Sequence, residues 1–144
     1  MGFEDAEYEP SAWAPVADQV AEYERTDGAE GREWMGGICI ILSTLGAKSG
    51  KLRKTPLMRV EKDGSYAVVG SMGGAPNHPS WVHNLRANPV ARIQDLGEVH
   101  DLKVREAEGE EKAQWWAIAR QSWPDYDAYQ EKTDRVIPLF VLEP

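Results

Sequence analysis

Five basic side chains and no acidic one lie between Trp34 and Val60, although the chain as a whole has a formal net charge of −8. The five are Lys48, Lys51, Arg53, Lys54 and Arg59. An apolar segment at 38–44 leads into the turn 46–50, Gly-Ala-Lys-Ser-Gly, in which glycines and a serine can direct several backbone N–H groups at one anion. One ion pair at about 4 Å is worth roughly 4 kcal/mol at an effective dielectric near 20, before desolvation. The pattern predicts a site for a phosphate or carboxylate group, with a solvated basic surface loop as the alternative.

Several phosphate and metal motifs are missing from the sequence. In the turn 46–50 only three residues separate the glycines, and Leu52 stands where a magnesium-binding hydroxyl would be needed. No Gly-x-Gly-x-x-Gly opens a helix, and His78, His83 and His100 are not spaced to converge on a metal ion. Kinase, nucleotide-hydrolysing and dinucleotide-binding functions are therefore disfavoured, and no metal site is predicted.

Three aromatic side chains, Trp123, Tyr126 and Tyr129, follow one another at three-residue steps near the end of the sequence. Side chains at this spacing share one side of a helix, so their rings and phenols can wall a pocket for a flat ligand. A stripe that faces the core is the alternative. The glycine-rich segment 70–74 allows the backbone to approach a ring closely. Combined with the basic turn, these features indicate a flat, phosphorylated cofactor.

The hydrophobic pattern predicts six strands and four helices around these residues. A helix begins at Pro15 and ends near Asp27, before a glycine-rich linker at 28–37. Further helices are predicted from Pro79, with Asn77 or His78 as the cap, at 110–122 and from Pro124. Strands are predicted at 38–44, 55–61, 66–70, 90–94, 99–105 and 136–142. Hairpin order without regular strand–helix alternation predicts an α+β fold that is mainly β: an antiparallel barrel with peripheral helices. Pro138 is expected at an edge or a bulge of its strand.

The negative charge is concentrated in the first 33 residues, which carry ten carboxylates against Arg25 and Arg32. Such a segment repels nucleic acid and anionic membranes, so neither is expected as a partner. The single cysteine, Cys39, favours a reducing compartment. No apolar run approaches the roughly 18 residues of a membrane span, and no signal-peptide pattern opens the chain. We therefore expect a soluble, cytoplasmic protein with one core and a mobile acidic start.

Ordered motifs from about residue 38 to the end resemble those of the deazaflavin (F420)-dependent nitroreductases and F420H2-dependent quinone reductases. The motifs are Thr44-Leu-Gly-Ala-Lys-Ser-Gly50, Arg53 with Pro56-Leu57, Gly70-Ser-Met-Gly-Gly-Ala75, Pro79-x-Trp-x-x-Asn-Leu85 with Ala87-Asn-Pro89, and Tyr129-Gln-x-x-Thr-Asp-Arg135 with Ile137-Pro138. The resemblance implies a six-stranded antiparallel split β-barrel with peripheral helices at 36–144, preceded by an acidic arm and helix at 1–35. It also implies hydride transfer from reduced coenzyme F420, an 8-hydroxy-5-deazaflavin, to a quinone, an activated enone or a nitroaromatic compound.

The resemblance also assigns site residues by position. The coenzyme's phosphate and its acidic polyglutamyl tail would be held by Lys48, Ser49, Gly50 and Arg53. The ring would lie against Pro56, Gly70, Ser71, Met72 and Trp81. A proton for the reduced acceptor would come from Tyr126, Tyr129 or the Ser71 hydroxyl. Because the coenzyme carries the hydride chemistry, neither a metal nor a protein nucleophile is required.

Four positions depart from the family pattern. Ala47 and Met72 replace basic residues that would support the phosphate and tail, and Lys51 and Lys54 can compensate for this loss. Met58 and Trp123 replace other aromatic residues and reshape the wall on which the acceptor lies. An FMN-dependent reductase of the same fold and a non-catalytic carrier of deazaflavin or of a lipophilic ligand are the alternative functions. The sequence leaves the physiological acceptor and the oligomeric state open.

Overall fold

The computed structural model describes residues 3–34 and 36–144. These residues form four α-helices: α1 (Ala14–Thr26), α2 (Ser80–Ala87), α3 (Gly109–Ser122) and α4 (Tyr126–Lys132). They also form eight strands: β1 (Glu33–Trp34), β2 (Gly37–Leu45), β3 (Leu52–Met58), β4 (Glu61–Lys62), β5 (Ser65–Val69), β6 (Val90–Asp95), β7 (Glu98–Glu106) and β8 (Leu139–Glu143). All strand pairs are antiparallel, as predicted. The chain is therefore an α+β protein built on one antiparallel sheet.

The sheet follows the order β1-β2-β6-β7-β8-β5-β4, and β3 also pairs with β2. The chain segment 52–62 thus pairs with β2 in its first part, as β3, and with β5 in its last part, as β4. Between the two parts the Arg59 N–H donates to the Ile38 carbonyl over 2.8 Å, and the Val60 carbonyl accepts from the Ala67 N–H over 2.9 Å. One continuous piece of chain therefore bonds to both ends of the strand path, so the sheet curls.

The predicted count of six strands differs from the eight that are observed in the described residues. The two additional strands, β1 and β4, have two residues each. Strand β4 arises because the chain leaves its ladder with β2 after Met58 and then pairs with β5. The sequence pattern shows apolar and polar alternation, but it does not show where a strand changes its partner.

The sheet buries apolar side chains on both of its faces because β5 and β8 alternate in the direction of their side chains. Tyr66 and Val68 pack with helix α2 in one cluster, whereas Ala67 and Val69 pack under α3 and α4 in another. Trp115 and Ile118 of α3 are partly buried against this second cluster, next to the fully buried Ala119. Helix α2 therefore covers one face of the sheet, and helices α3 and α4 cover the other face.

Helix α1 packs on strands β2 and β6 through Tyr23, which is fully buried. The Tyr23 hydroxyl donates to the Cys39 carbonyl and accepts the N–H of Leu96 over 2.9 Å. The helix ends where the sequence predicts, with Asp27 in the left-handed region at φ 50° and the Gly28 N–H bonded to the Tyr23 carbonyl. This anchor, in the last turn of α1, lies next to Glu24, which contacts Lys54 of β3.

Several predicted boundaries are wrong by one to three residues. Strand β3 begins at Leu52 instead of 55, helix α4 begins at Tyr126 instead of Pro124, and two further boundaries lie next to Pro79 and Pro138. The last strand begins at Leu139 instead of 136, because the Pro138 carbonyl accepts the Gly70 N–H and so connects to a loop before the ladder starts. Helix α2 begins at Ser80, and Pro79 is its N-cap, with no side-chain hydrogen bond to the cap. Pro138 thereby lies outside the ladder, where its missing N–H costs no strand hydrogen bond.

Candidate active site

A cavity of about 830 Å³ opens between the start of α1, strands β2 and β3, the loop after β5, and helices α2 and α4. Pockets of roughly 300–1,000 Å³ with apolar walls and a few polar groups are typical of cofactor sites. Seven predicted site residues line the cavity: Arg53, Pro56, Ser71, Met72, Trp81, Tyr126 and Tyr129. Lys48, Ser49, Gly50 and Gly70 lie outside its lining. The fold thus brings together residues from four separate motifs.

Strand β3 supplies one long wall of the cavity, because every residue from Arg53 to Met58 contributes to the lining. One edge of β3 pairs with β2, where Pro56 lies opposite Ile41. A proline is tolerated here because β3 pairs with no strand other than β2 in the described part of the chain. The wall therefore has cationic groups at one end and apolar Pro56, Leu57 and Met58 at the other.

The Met58 thioether is pressed against the backbone of Gly37. A Cβ atom added at Gly37 would lie 2.6 Å from the Met58 Sδ and 3.3 Å from the Trp123 ring. Glycine at this position therefore leaves room for the Met58 and Trp123 side chains at the apolar end of the cavity.

The loop 70–75 forms the opposite wall and is held from behind by Arg135. The guanidinium donates to the carbonyls of Gly70 at 3.0 Å, Ser71 at 2.7 Å and Ala75 at 2.7 Å. It also lies 2.8 Å from the Nδ1 atom of His78. These contacts fix the backbone that carries Ser71 and the exposed Met72, which has a φ of 44°.

Gly70 is a packing residue in this structure. A Cβ atom at Gly70 would lie 2.8 Å from Val82 and 2.9 Å from Pro138, so the space beside its Cα is already filled by protein. The close approach predicted from the glycine-rich pattern therefore serves contacts between the loop, α2 and the segment before β8. Whether a ring also rests near this backbone stays a prediction.

Helix α2 places Trp81 and Asn84 in the cavity lining, and both are buried. The Trp81 ring meets Phe140 edge to face, with centroids 6.0 Å apart and planes at 64°. The Asn84 amide donates to the Thr44 hydroxyl at 3.1 Å and accepts the Ala47 N–H at 2.9 Å. Asn84 therefore connects the helix to the end of β2 and to the basic turn.

Helix α4 presents Tyr126 and Tyr129 to the cavity, whereas Trp123, which was expected on the same helix, caps the end of α3 and lines the cavity from there. Tyr126 and Tyr129 meet edge to face, with centroids 6.3 Å apart. The Tyr129 hydroxyl accepts the Trp123 indole N–H at 3.2 Å. Burial raises the pKa of Tyr126 well above its ordinary range, with a smaller contribution from Tyr129. The Tyr126 phenol therefore keeps its proton at neutral pH.

Cys39 also lines the cavity, at the start of the apolar strand. Burial raises the pKa of its thiol to about 11, so it is a neutral thiol near pH 7. A thiol in this state is a poor nucleophile, which agrees with the prediction that Cys39 is a small core residue.

The basic turn donates most of its backbone N–H groups within the protein. Four such bonds are Gly46 N–H to Lys51 O, Gly50 N–H to Gly46 O, Lys51 N–H to the Ser49 hydroxyl, and Ala47 N–H to Asn84 Oδ1. The turn therefore has fewer N–H groups free for an anion than the sequence predicts. The prediction of an anion site here therefore depends mainly on the Lys48 and Arg53 side chains.

Two cations at the mouth of the cavity, Arg53 and Lys54, and the neighbouring Lys51 form ion pairs with the N-terminal segment. Arg53 pairs with Glu9 at 2.8 Å, Lys51 with Glu7 at 3.6 Å, and Lys54 with Glu24 of α1. Lys54 also lies 4.8 Å above the centroid of the Tyr8 ring. The acidic segment that we expected to be mobile therefore makes defined contacts at the site.

Sequence reasoning missed several residues of the site. Trp13 and Trp34 line the mouth and are 61% and 45% exposed, although we expected Trp13 on the apolar stripe of α1. Arg135 and Asn84 lie in the motifs that carry the family resemblance, which is the signal that could have found them. Trp13 and Trp34 lie before those motifs, and their position depends on how α1 docks.

The described residues contain no group of three His, Cys, Asp or Glu side chains that could hold a metal ion. None of the helices in the described ranges has the length and apolar character that a membrane span requires.

Comparisons with known proteins agree with this architecture. The family model described as F420H(2)-dependent quinone reductase matches residues 16–144, so the match begins within α1. An F420H(2)-dependent quinone reductase of Mycobacterium tuberculosis is 32% identical over 126 residues, which is 85% of each chain. A solved F420-H2-dependent reductase, FDR-A, is 52% identical, covers 73% of this chain and 93% of its own, and superposes with a TM-score of 0.69.

A second solved structure, described as a domain-swapped dimer, is 46% identical, covers 88% of this chain and 92% of its own, and has a TM-score of 0.73. The haem storage protein HutZ from Vibrio cholerae is 18% identical with a TM-score of 0.55, covers 86% of this chain and 88% of its own, and shows the fold alone. The family model spans almost the whole of the site described above, from α1 to β8. This chain therefore belongs to the F420H(2)-dependent quinone reductase family.

Proposed function

We propose that this protein is an F420H2-dependent oxidoreductase that transfers a hydride from the reduced deazaflavin to a quinone. One observation carries the proposal: a cavity of about 830 Å³ has flat apolar walls and two cations at its mouth, in a chain of this family. The curated Mycobacterium tuberculosis relative is named for the same activity.

The residues of the cavity fit the coenzyme. A tricyclic ring needs a slot between flat apolar surfaces, which Pro56, Leu57 and Trp81 offer, and an anionic chain needs cations, which Arg53 and Lys54 offer. We assign the phosphate and tail to Lys48, Ser49, Gly50 and Arg53, and the ring to Pro56, Gly70, Ser71, Met72 and Trp81. When bound, the reduced coenzyme supplies the hydride. The protein holds the acceptor against it and excludes water.

Tyr126 is our first candidate for the proton donor. Its hydroxyl keeps its proton, because burial raises its pKa, and its ring lines the cavity. The Tyr129 hydroxyl already accepts a hydrogen bond from Trp123, so it can donate its own proton at the same time. The Ser71 side chain is buried and lines the facing wall. Any of the three can hydrogen-bond the oxyanion that develops on a quinone oxygen.

We propose further details of the fold, the acceptors, the partners and the location together with this function. Counting the segment 52–62 as one strand that changes partner gives a six-stranded split β-barrel at 36–144, with the arm and helix at 1–35 as an addition to it. We propose that activated enones and nitroaromatic compounds are further acceptors, and that small molecules rather than nucleic acids are the partners. The free thiol of Cys39 suits a reducing compartment, so we propose a cytoplasmic location.

The test is a fluorescence titration of the purified protein with oxidised F420 and, separately, with FMN, followed by assays of menadione reduction. Micromolar F420 binding with turnover supports the proposal. Tight binding of FMN instead moves the protein to the flavin-dependent branch. Binding of F420 without turnover on quinone, enone or nitro acceptors identifies a carrier and contradicts the proposed activity.

A further inference from the structure

The cations at and beside the cavity mouth form ion pairs with carboxylates of the same chain. Glu7 and Glu9 flank Tyr8, which forms a parallel bridge with Leu52 at the start of β3. The Glu9 N–H donates to the Leu52 carbonyl at 2.9 Å, and the Leu52 N–H donates to the Glu7 carbonyl at 2.8 Å. The arm is therefore held at the start of β3 by one parallel bridge.

Strand geometry explains why the two carboxylates reach the cations. Successive side chains of an extended segment point in opposite directions, so Glu7 and Glu9 point the same way and Tyr8 the other. Their carboxylates meet Lys51 and Arg53, which are themselves two residues apart. The Tyr8 ring lies beneath the Lys54 ammonium, which Glu24 of α1 also contacts. We call Lys51, Arg53 and Lys54 the cation row. Acidic side chains of the N-terminal segment thus occupy the cation row in the structure.

These ion pairs are weak enough to exchange. The side chains of Arg53 and Glu9 are 36% and 46% exposed, and those of Lys51 and Glu7 are 42% and 77% exposed. Exposed pairs contribute little and are screened by salt, so an incoming anion can replace them. Within 3–34 and 36–144, Lys48 has no carboxylate at ion-pair distance. Lys48 can therefore contact an incoming anion without displacing a carboxylate of the arm.

We infer that Glu7, Glu9 and Glu24 are specificity-determining residues, which compete within the molecule for the cations and so disfavour ligands that carry many negative charges. The inference rests on the proposed function, because it concerns the same cavity. A ligand that spans the cation row must displace the arm, whereas an uncharged ring that enters between Pro56 and Trp81 need not. The arm therefore narrows the difference in affinity between a charged deazaflavin and an uncharged one.

The experiment compares two probes on the full chain. One is oxidised F420, with its phosphate and polyglutamyl tail, and the other is 8-hydroxy-5-deazariboflavin, which lacks both. Dissociation constants are measured by fluorescence at low ionic strength for the wild type and for E7Q/E9Q/E24Q. We expect F420 to bind about tenfold tighter to the variant, since two exposed ion pairs and the partly buried Lys54–Glu24 pair no longer compete. The uncharged probe should change by less than about twofold, and added salt should reduce the difference for F420.

A matched control removes the same charge from the same segment. The variant D5N/D18N/E33Q neutralises three carboxylates that make no ion pair with a described residue. We expect less than about a threefold effect on F420, because these groups act only through the screened long-range field. If the control tightens F420 binding as much as E7Q/E9Q/E24Q does, net charge accounts for the effect and local competition is overturned.

Other outcomes separate this inference from the proposed function. Unchanged F420 affinity in E7Q/E9Q/E24Q, or equal tightening of both probes, contradicts the inference while the reductase assignment stands. A wild type that binds neither probe removes the proposed function and the inference with it. Should the triple variant unfold, E9Q alone breaks the Arg53 pair, and it should tighten F420 by about twofold to threefold.

Discussion

Replacing Arg135 by Met should lower the free energy of unfolding by about 2–4 kcal/mol and loosen the wall that carries Ser71. The guanidinium donates to three carbonyls of the loop 70–75, at 2.7–3.0 Å. A hydrogen bond from a charged donor is worth about 1.5–3 kcal/mol, so three of them set an upper limit well above our value. We expect less than this limit because Arg135 is only half-buried and water can reach some of the carbonyls.

Urea unfolding at constant pH measures the effect, with two further variants for comparison. In R135K a single ammonium group replaces the planar guanidinium. It cannot reach all three carbonyls along the loop, so we expect a loss of unfolding free energy between those of R135M and the wild type. In R120M the lost ion pair with Asp127 is half-exposed on both sides, so the loss should stay below about 1 kcal/mol. Because Ser71 and Met72 line the cavity, R135M should also weaken F420 binding.

The reasoning is refuted if R135M is within about 0.5 kcal/mol of the wild type, or if it loses no more than R120M does. Either result would mean that the loop keeps its conformation through the Gly70–Pro138 hydrogen bond and its own turns.

Three further predictions concern the phenols, one glycine and one histidine. Tyr126→Phe should reduce kcat about a hundredfold or more with little change in F420 affinity, whereas Tyr129→Phe should cost less; steady-state kinetics with equal losses would contradict this order. Gly74→Ala should destabilise by more than about 2 kcal/mol in urea unfolding, since φ is +82° and the new Cβ would lie 2.8 Å from the Tyr129 carbonyl oxygen. At Gly73, with φ +66° and nothing within 4 Å, alanine should cost only about 1 kcal/mol, and equal costs would refute the contact argument. Burial and then the charge of Arg135 lower the pKa of His78 below its usual 6.5, so the unfolded chain binds more protons there. Unfolding free energy should therefore fall as the pH drops through 6.5 and level off below the folded-state pKa. His78→Gln should remove this component in urea titrations between about pH 7.5 and 5.5, and an unaltered pH profile would contradict it.

Much of the fold could be predicted because its signals are local. The hairpin of β6 and β7 follows the alternation in the sequence, and Leu102 of β7 is buried while Asp101 and Lys103 face water. Helix α3 begins with acidic residues and ends near Arg120, as the helix dipole favours. Boundaries next to Pro79 and Pro138 were less accurate, because a proline can stand just outside an element or at its first residue.

The candidate site could be predicted in its residue types and only in part in its arrangement. The tyrosines of α4 line the cavity because both lie on one side of a single helix. The turn 46–50 offers fewer backbone N–H groups to an anion than the sequence predicts, because several of them bond within the turn and to Asn84. Asn84 lies 37 residues from Ala47, and no local pattern indicates that the two meet.

The sequence alone determined the kinds of element, the family, and the acidic and basic segments of opposite charge. These properties depend on neighbours within a few residues or on motifs in a fixed order. Only the tertiary structure decided that the two charged segments neutralise each other. Glu9 and Arg53 are 44 residues apart, and they meet because the arm bonds to Leu52 at the start of β3. A charge pattern states which partners are possible, and the docking of apolar surfaces selects among them.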